Sequence, residues 1–309
     1  MQAPRLSILL PVWNGARDLA RLLPALRAQR AWPECELVAI DSSSADESVP
    51  LLREAGARVE VIPKTEFGHG RTRNALAELA RGELLVFLSQ DALPADEGFL
   101  DELVAPLAEE GVAGAYARLL PHGDDDPLTA RTVLAAPEAR AEAPPLAPLD
   151  ADALWGSGGA ARLERLRFSN VASAVRAEVL RAHPFPDIPF GEDFAWSARA
   201  AEAGWQVRFA PRAVALHAHR YTPSQAFERY RLDAAFHRAV HGHRLRPDLP
   251  SVLRGVAWEL REDLRYLART PGASWVHVLR APALRTAQVL GQYWGSRGWG
   301  GDFWGEGGQ

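Results

Sequence analysis

Leu84-Leu85-Val86-Phe87-Leu88-Ser89-Gln90-Asp91 opens with five apolar residues in succession and closes on an acid. A run this short and this continuously apolar reads as a strand buried on both faces, as in parallel sheets covered by helices. An acid at the carboxyl end of such a strand lies where open α/β sheets bind ligands, in the crevice outside the strand ends. Asp91 is therefore a candidate ligand-binding residue. The competing reading is a turn aspartate ahead of Pro94.

Working outward, the same grammar repeats. Leu6–Val12 reads as a first strand, followed by Leu19, Leu22, Leu23 and Leu26 on one helical face. Leu37–Asp41 is a second strand, Val49 and Leu52 mark a short helix, Val59–Ile62 is a third strand, and a helix over about 70–81 leads into Leu84–Leu88. Four strand–helix units before residue 95 predict a doubly wound, Rossmann-like, mostly parallel sheet flanked by helices. Beyond it come a helix and a strand, Val112–Ala117, and then 121–165, where Asp124-Asp125-Asp126 and Ala143-Pro144-Pro145-Leu146-Ala147-Pro148 read as a mobile loop. Order is expected to resume at Phe168–Val175, in a helix over 192–203 ended by Gly204, and in a strand from Trp205 leading to Ala213–His219. Thr222-Pro223-Ser224-Gln225 is a capping box that starts a helix to about His241. Two further helices over 250–296 and a tail rich in Gly and Trp complete the chain. The expected division is a catalytic domain over 1–245 and a helical extension over 246–309.

Composition narrows the function. The chain has 309 residues, 47% of them hydrophobic, enough for a large core, and a formal net charge of −4. That balance argues against general nucleic-acid binding, which needs a basic stripe. Cys35 is the single cysteine, which rules out an internal disulfide or a thiolate metal cluster and makes the cytoplasm the expected compartment. The first residues show no secretory leader and no stretch reaches the ~18 apolar residues of a spanning helix. The Trp- and Arg-bearing C-terminal helices suit a peripheral contact at the inner face of a membrane, a homodimer, or ordinary packing.

Two acids, Asp41 and Asp91, end separate strands and should face one crevice. Asp41 precedes the polar turn Ser42-Ser43-Ser44-Ala45-Asp46, where a carboxylate can accept from a nucleoside while helix N-terminal amides face phosphate. Helix capping is the alternative. Glu66-Phe67-Gly68-His69-Gly70-Arg71-Thr72-Arg73-Asn74 is a Gly-bearing loop whose amides and arginines can meet a diphosphate, or simply an exposed turn. Gly191-Glu192-Asp193 opens a helix, whose N-terminus should keep an acid ionised, as a general base requires. His217 and His219 alternate along a strand-like run, so at most one should enter the site.

In this order the pieces resemble the inverting family 2 glycosyltransferases of the GT-A fold, in particular their rhamnosyltransferase-like branch. They are Ser7–Asn14, Ile40–Asp46, Gly70–Asn74, Phe87–Ala92, Phe168–Ser173 and Gly191–Trp196, with His217 and His219 behind. The resemblance implies a transferase that moves a sugar, rhamnose in this branch, from a dTDP-, UDP- or GDP-sugar to a hydroxyl of a polysaccharide or lipid-linked glycan. It implies Asp193 as the base, and donor contacts from Pro11, Val12, Trp13, Asn14, Asp41, Ser43, His69, Gly70, Arg73, Gln90, Asp91 and Glu192. Mg2+ or Mn2+ would be held by Asp91 with His217 or His219. Ser89-Gln90-Asp91 departs from the family's Asp-x-Asp by keeping only the last acid, so a catalytically silent sugar-nucleotide-binding protein is the rival expectation.

Overall fold

A computed structural model describes residues 4–144 and 150–298. Its contacts divide the chain into two compact units: 1–120 with 138–156 and 164–217, and 121–137 with 157–163 and 218–309.

The first unit is built on one sheet. Leu6–Val12 (β1) is followed by Ala16–Arg27 (α1), Cys35–Asp41 (β2), Ser48–Glu54 (α2), Arg58–Val61 (β3), His69–Leu79 (α3) and Leu84–Leu88 (β4). Then come Leu93–Pro94 (β5), Phe99–Val104 (α4) and Val112–Leu120 (β6). After segments that include Pro127–Leu134 (α5), Ala151–Gly156 (α6) and Gly159–Arg165 (α7), the sheet resumes with Ala172–Arg176 (β7). Ala177–Ala182 (α8), Glu192–Glu202 (α9) and Gln206–Leu216 (β8) close the unit. The strand order is β3-β2-β1-β4-β7-β6-β8-β5.

The strands β3, β2, β1 and β4 run parallel, as the alternation of strands and helices predicts. Alternate residues feed two cores: Leu6, Ile8 and Leu10 pack with Leu19, Leu22 and Leu26 of α1, while Leu9, Val38, Leu85 and Phe87 pack with α3 and Trp196 of α9. The other half of the sheet is mixed. β7 enters between β4 and β6 and is antiparallel to both, while β8 is parallel to β6. This pairing has a functional consequence. Because β7 begins opposite Leu88, the residues just before it lie at the same sheet edge as the carboxyl end of β4. The ends of β6 and β8, where Leu120 pairs with Leu216, reach that edge too.

The stretch 121–165, expected as a long loop, carries α5, capped by Asp126, and the short helices α6 and α7. Residues 145–149 of its Pro-Ala cluster lie outside the described residues, as do 299–309 of the Gly/Trp tail. The second unit contains three long helices, Pro223–His241 (α10), Leu249–Leu267 (α11) and Trp275–Ser296 (α12), each opened by a capping box. Inside it, Arg285 of α12 donates twice to Asp263 of α11, at 2.8 Å each, and to Thr132 of α5. Arg131 of α5 pairs with Asp263 at 2.6 Å and with Glu259. Buried ions are tolerated because each has its partner.

Candidate active site

The loop leaving β1 is pinned to the turn after β2. Asn14, at φ 46°, donates its backbone N–H to Ser44 Oγ at 2.7 Å and accepts from the Ala45 N–H through Oδ1 at 2.9 Å. Gly15 and Ala16 donate to Ser48 and Asp46. Asp41 is fully buried, and Ser44 donates both its N–H and its hydroxyl to that carboxylate, at 2.8 and 2.5 Å. Ser43, at φ 59°, donates its hydroxyl to the carbonyl of Ile62. Asn14 and Ser43 are the two non-glycine residues at positive φ among the described residues. Such backbone persists only where its surroundings over-determine it, and it clusters at ligand sites. Trp13 projects half-exposed from this loop with Lys64 Nζ 3.3 Å from its ring centroid, a cation–π pair that the sequence did not reveal.

At the end of β4, Gln90 clamps the same loop. Its Oε1 accepts from Trp13 N–H at 2.9 Å and its Nε2 donates to Trp13 O at 3.3 Å. The clamp needs Gly15, because a Cβ there would lie 2.6 Å from Gln90 Oε1. Gln90 also hydrogen-bonds Asp18 of α1, an acid absent from the sequence-based candidates. Burial and then the charge of Asp91 push the Asp18 carboxyl above its usual range.

Asp91 meets His217 because β5 pairs antiparallel with β8: Leu93 opposes Leu216, so the residues around Asp91 oppose those just past β8. Asp91 Oδ2 and His217 Nε2 are 3.5 Å apart. His219 follows two residues along the same segment, and one ligand atom from each of the three lies within 4.8 Å of the others. The expected separation of the histidines onto opposite faces does not hold. β8 ends at Leu216, so the two-residue alternation no longer governs 217–219. One carboxylate and two imidazoles fit a divalent cation. The nitrogen donors favour Mn2+ over Mg2+, which prefers an all-oxygen shell.

The loop before β7 and the start of α9 carry the remaining groups. Gly191, at φ 78°, turns the chain into α9 in a left-handed conformation that suits glycine. Asp193 is partly exposed and accepts from Asn170 N–H at 3.1 Å and Phe194 N–H at 2.9 Å. Glu192 is buried and accepts from Arg73 Nη1 at 2.9 Å and Asn170 Nδ2 at 3.3 Å. Burial first, and then the charge of Glu192, push the Asp193 carboxyl up to about 7, against the opposing hydrogen bonds and Arg73. A helix N-terminus alone was expected to hold this acid ionised. Desolvation and a like charge outweigh it here.

Other candidates have visible structural duties. Arg73 is buried, donating to Glu192 and to the carbonyl of His69. Gly70 is required by packing, since a Cβ there would meet Pro186 O at 2.1 Å. The His69 ring packs edge-on against Phe67. Asn170 is buried and bridges Glu192, Asp193 and Ser173, a role that the stretch Phe168–Ser173 does not reveal by itself. Its signal was a lone Asn just ahead of an apolar strand.

A parallel βα half with acids at its strand ends, followed by an antiparallel strand that brings a carboxylate to the same edge, is the architecture of a GT-A glycosyltransferase. Comparison with known proteins agrees. Residues 7–158 match the profile described as Glycosyl transferase family 2. The chain is 30% identical over 239 residues to the O-antigen chain rhamnosyltransferase RfbN of Salmonella typhimurium, covering 75% of this chain and 72% of that one. It is also 30% identical to the O-antigen chain rhamnosyltransferase WbaN of Salmonella anatum, over 76% and 72% of the two chains. Among solved structures, the fold is similar to the mannosyltransferase PcManGT of Pyrobaculum calidifontis, solved with GDP-Man and Mn2+. The TM-score is 0.57 at 20% identity, covering 96% of this chain and 87% of that one. S. aureus TarS with UDP-GlcNAc gives 0.54 at 16% identity, over 92% and 90%. The chain belongs to glycosyl transferase family 2 and is a glycosyltransferase.

Proposed function

We propose that the chain transfers rhamnose from a nucleoside-diphosphate donor to a hydroxyl of a polysaccharide or lipid-linked glycan, inverting the anomeric carbon, with Asp193 as general base. The carrying observation is Asp193 itself. It lies at the ligand edge of the sheet with its oxygens oriented by two backbone N–H groups and its carboxyl pushed up to about 7. Near that value a base is about half ionised at neutral pH and basic enough to take a proton. The choice of rhamnose is supported by the names of the Salmonella relatives.

In the transfer, Asp193 takes the proton of the acceptor hydroxyl as its oxygen bonds to the anomeric carbon. The bond from that carbon to the diphosphate oxygen breaks, and its electron pair leaves with the nucleoside diphosphate. Attack from the face opposite the leaving group gives inversion. Glu192 is not the base, because Arg73 and Asn170 hold it; its fixed charge keeps Asp193 basic. Pro11–Asn14, Asp41 and Ser43 cradle the nucleoside, while His69, Gly70, Arg73, Gln90 and Glu192 shape the sugar and diphosphate side. When bound at Asp91, His217 and His219, a divalent cation, Mn2+ by preference, supplies neutralisation of the departing diphosphate. We assign catalysis to 1–245, with 246–309 as a helical extension, and read the reaction as cytoplasmic from the single cysteine.

The test is Asp193→Asn. The amide keeps the shape and removes the base, so transfer should fall at least about a hundredfold while nucleotide binding persists. Turnover close to that of the unaltered protein would remove Asp193 from this role.

A further inference from the structure

The outer face of α11 has a composition the transfer reaction does not use. Leu253, Ala257, Leu264 and the capping Ala268 that follows the helix recur at spacings of four and seven residues and are all exposed, Leu253 by 73% and Leu264 by 53%. Arg254, Arg261 and Arg265, with Arg269 just past the helix, follow one another at spacings of seven, four and four and form a second exposed stripe beside the first, with half-exposed Trp258 among them. Spacings of four and seven keep each set on one side of a helix. Past the turn that follows α11, the first residues of α12 continue the character: Trp275 is 72% exposed and Leu279 68%.

The acids of α11 are sorted the other way. Glu259 and Asp263 are buried, bound to Arg131 and Arg285 from α5 and α12, so their charge is neutralised inside the unit. Glu262 alone remains near the surface, paired with Arg261 and Arg265. Four outward arginines against one outward acid leave this helix face with a net positive charge, on a chain whose overall charge is −4. A helix built only for solubility would carry both signs outward, and one built only for core packing would not expose two leucines and a tryptophan.

From this sorting we infer that α11 and the start of α12 form a docking surface for an anionic lipid bilayer, lying in the plane of the interface. The leucine–alanine stripe enters the boundary between headgroups and acyl chains. The arginines beside it extend their stems along the apolar surface and their guanidiniums to lipid phosphates. Among the described residues no helix is long and apolar enough to cross a membrane, so attachment by this face would be peripheral. Charge complementarity selects the occupant: four arginines in register suit a continuous sheet of phosphates, and exposed Trp and Leu suit the layer beneath.

The experiment is flotation of the full chain with vesicles of phosphatidylethanolamine and phosphatidylglycerol, alongside pure phosphatidylcholine vesicles, with mass measured by light scattering without lipid. The unaltered protein should float with the anionic vesicles, and more weakly with the neutral ones. Arg254→Gln/Arg261→Gln/Arg265→Gln/Arg269→Gln and, separately, Leu253→Ser/Leu264→Ser should each raise the lipid concentration for half-binding at least about tenfold. Both variants change surface side chains outside the active site, so unchanged circular dichroism and donor hydrolysis would confirm that they are folded. The readout is binding alone, so it does not depend on which sugar is transferred. Failure of the unaltered protein to float with anionic vesicles would overturn the inference, as would binding unaffected by both variants. A dimer in solution that Leu253→Ser/Leu264→Ser converts to a monomer would overturn it in favour of a protein interface.

Discussion

If Asp193 is the base, kcat/KM must follow its ionisation, and the structure says where. With the carboxyl at about 7, close to nine-tenths is ionised one unit above that value, about a tenth one unit below and about a hundredth two units below. The rate should therefore rise about tenfold per pH unit below about 7 and level off above it. An ordinary exposed aspartate would put the bend near 4 instead. The perturbation that isolates the cause is Glu192→Gln. The substitution removes the like charge that helps raise Asp193 and leaves Arg73 nearby, so the acid limb should move to lower pH, by on the order of one unit. Initial rates of nucleoside diphosphate release across about pH 5–9, at low donor concentration, measure the limb in both proteins. The linked stability has the opposite sense: a raised carboxyl favours the folded state at low pH, and that contribution is lost as pH rises through about 7. Asp193→Asn should accordingly gain stability relative to the parent above pH 7. A rate flat from about pH 5.5 to 8, or a Glu192→Gln limb moved upward, would refute the reasoning.

Three further outcomes are expected. Asp91→Asn and His217→Ala should each weaken Mn2+ binding, read by titration calorimetry, by about ten- to a hundredfold, because each removes a ligand atom of the cluster. Gln90→Ala should raise the donor KM about five- to tenfold with less change in kcat, since it frees Trp13 from two hydrogen bonds without touching Asp193. Arg73→Met should cost about 3–5 kcal/mol in urea unfolding, because Glu192 would be left buried without its cation.

Much of this was legible in the sequence for identifiable reasons. Leu84–Leu88 and Leu6–Val12 are apolar on both faces, so their place inside a parallel sheet followed, and with it the shared edge of Asp41 and Asp91. The capping box at Thr222 likewise fixed the start of α10. The insertion of β7 between β4 and β6 was not legible, because pairing across more than eighty residues leaves no periodic trace. That insertion is what brings Asn170, and through it Asp193, to the site. The convergence of the two histidines was not legible, because alternation ends with the last strand residue, nor was the level of Asp193, because burial is a tertiary quantity. Gln90, expected as a donor contact, also ties the β1 loop, a duty visible only once Trp13 lies beside it.

The central claim, transfer from a nucleotide sugar at this edge, is met most directly by one measurement. The purified chain is incubated with dTDP-rhamnose and with UDP- and GDP-sugars, with and without Mn2+, and released nucleoside diphosphate is quantified. The account predicts Mn2+-stimulated release from dTDP-rhamnose that Asp193→Asn abolishes. Binding of donors without release from any of them, in the presence of Mn2+ and a glycan acceptor, would contradict it and leave a sugar-nucleotide-binding protein in its place.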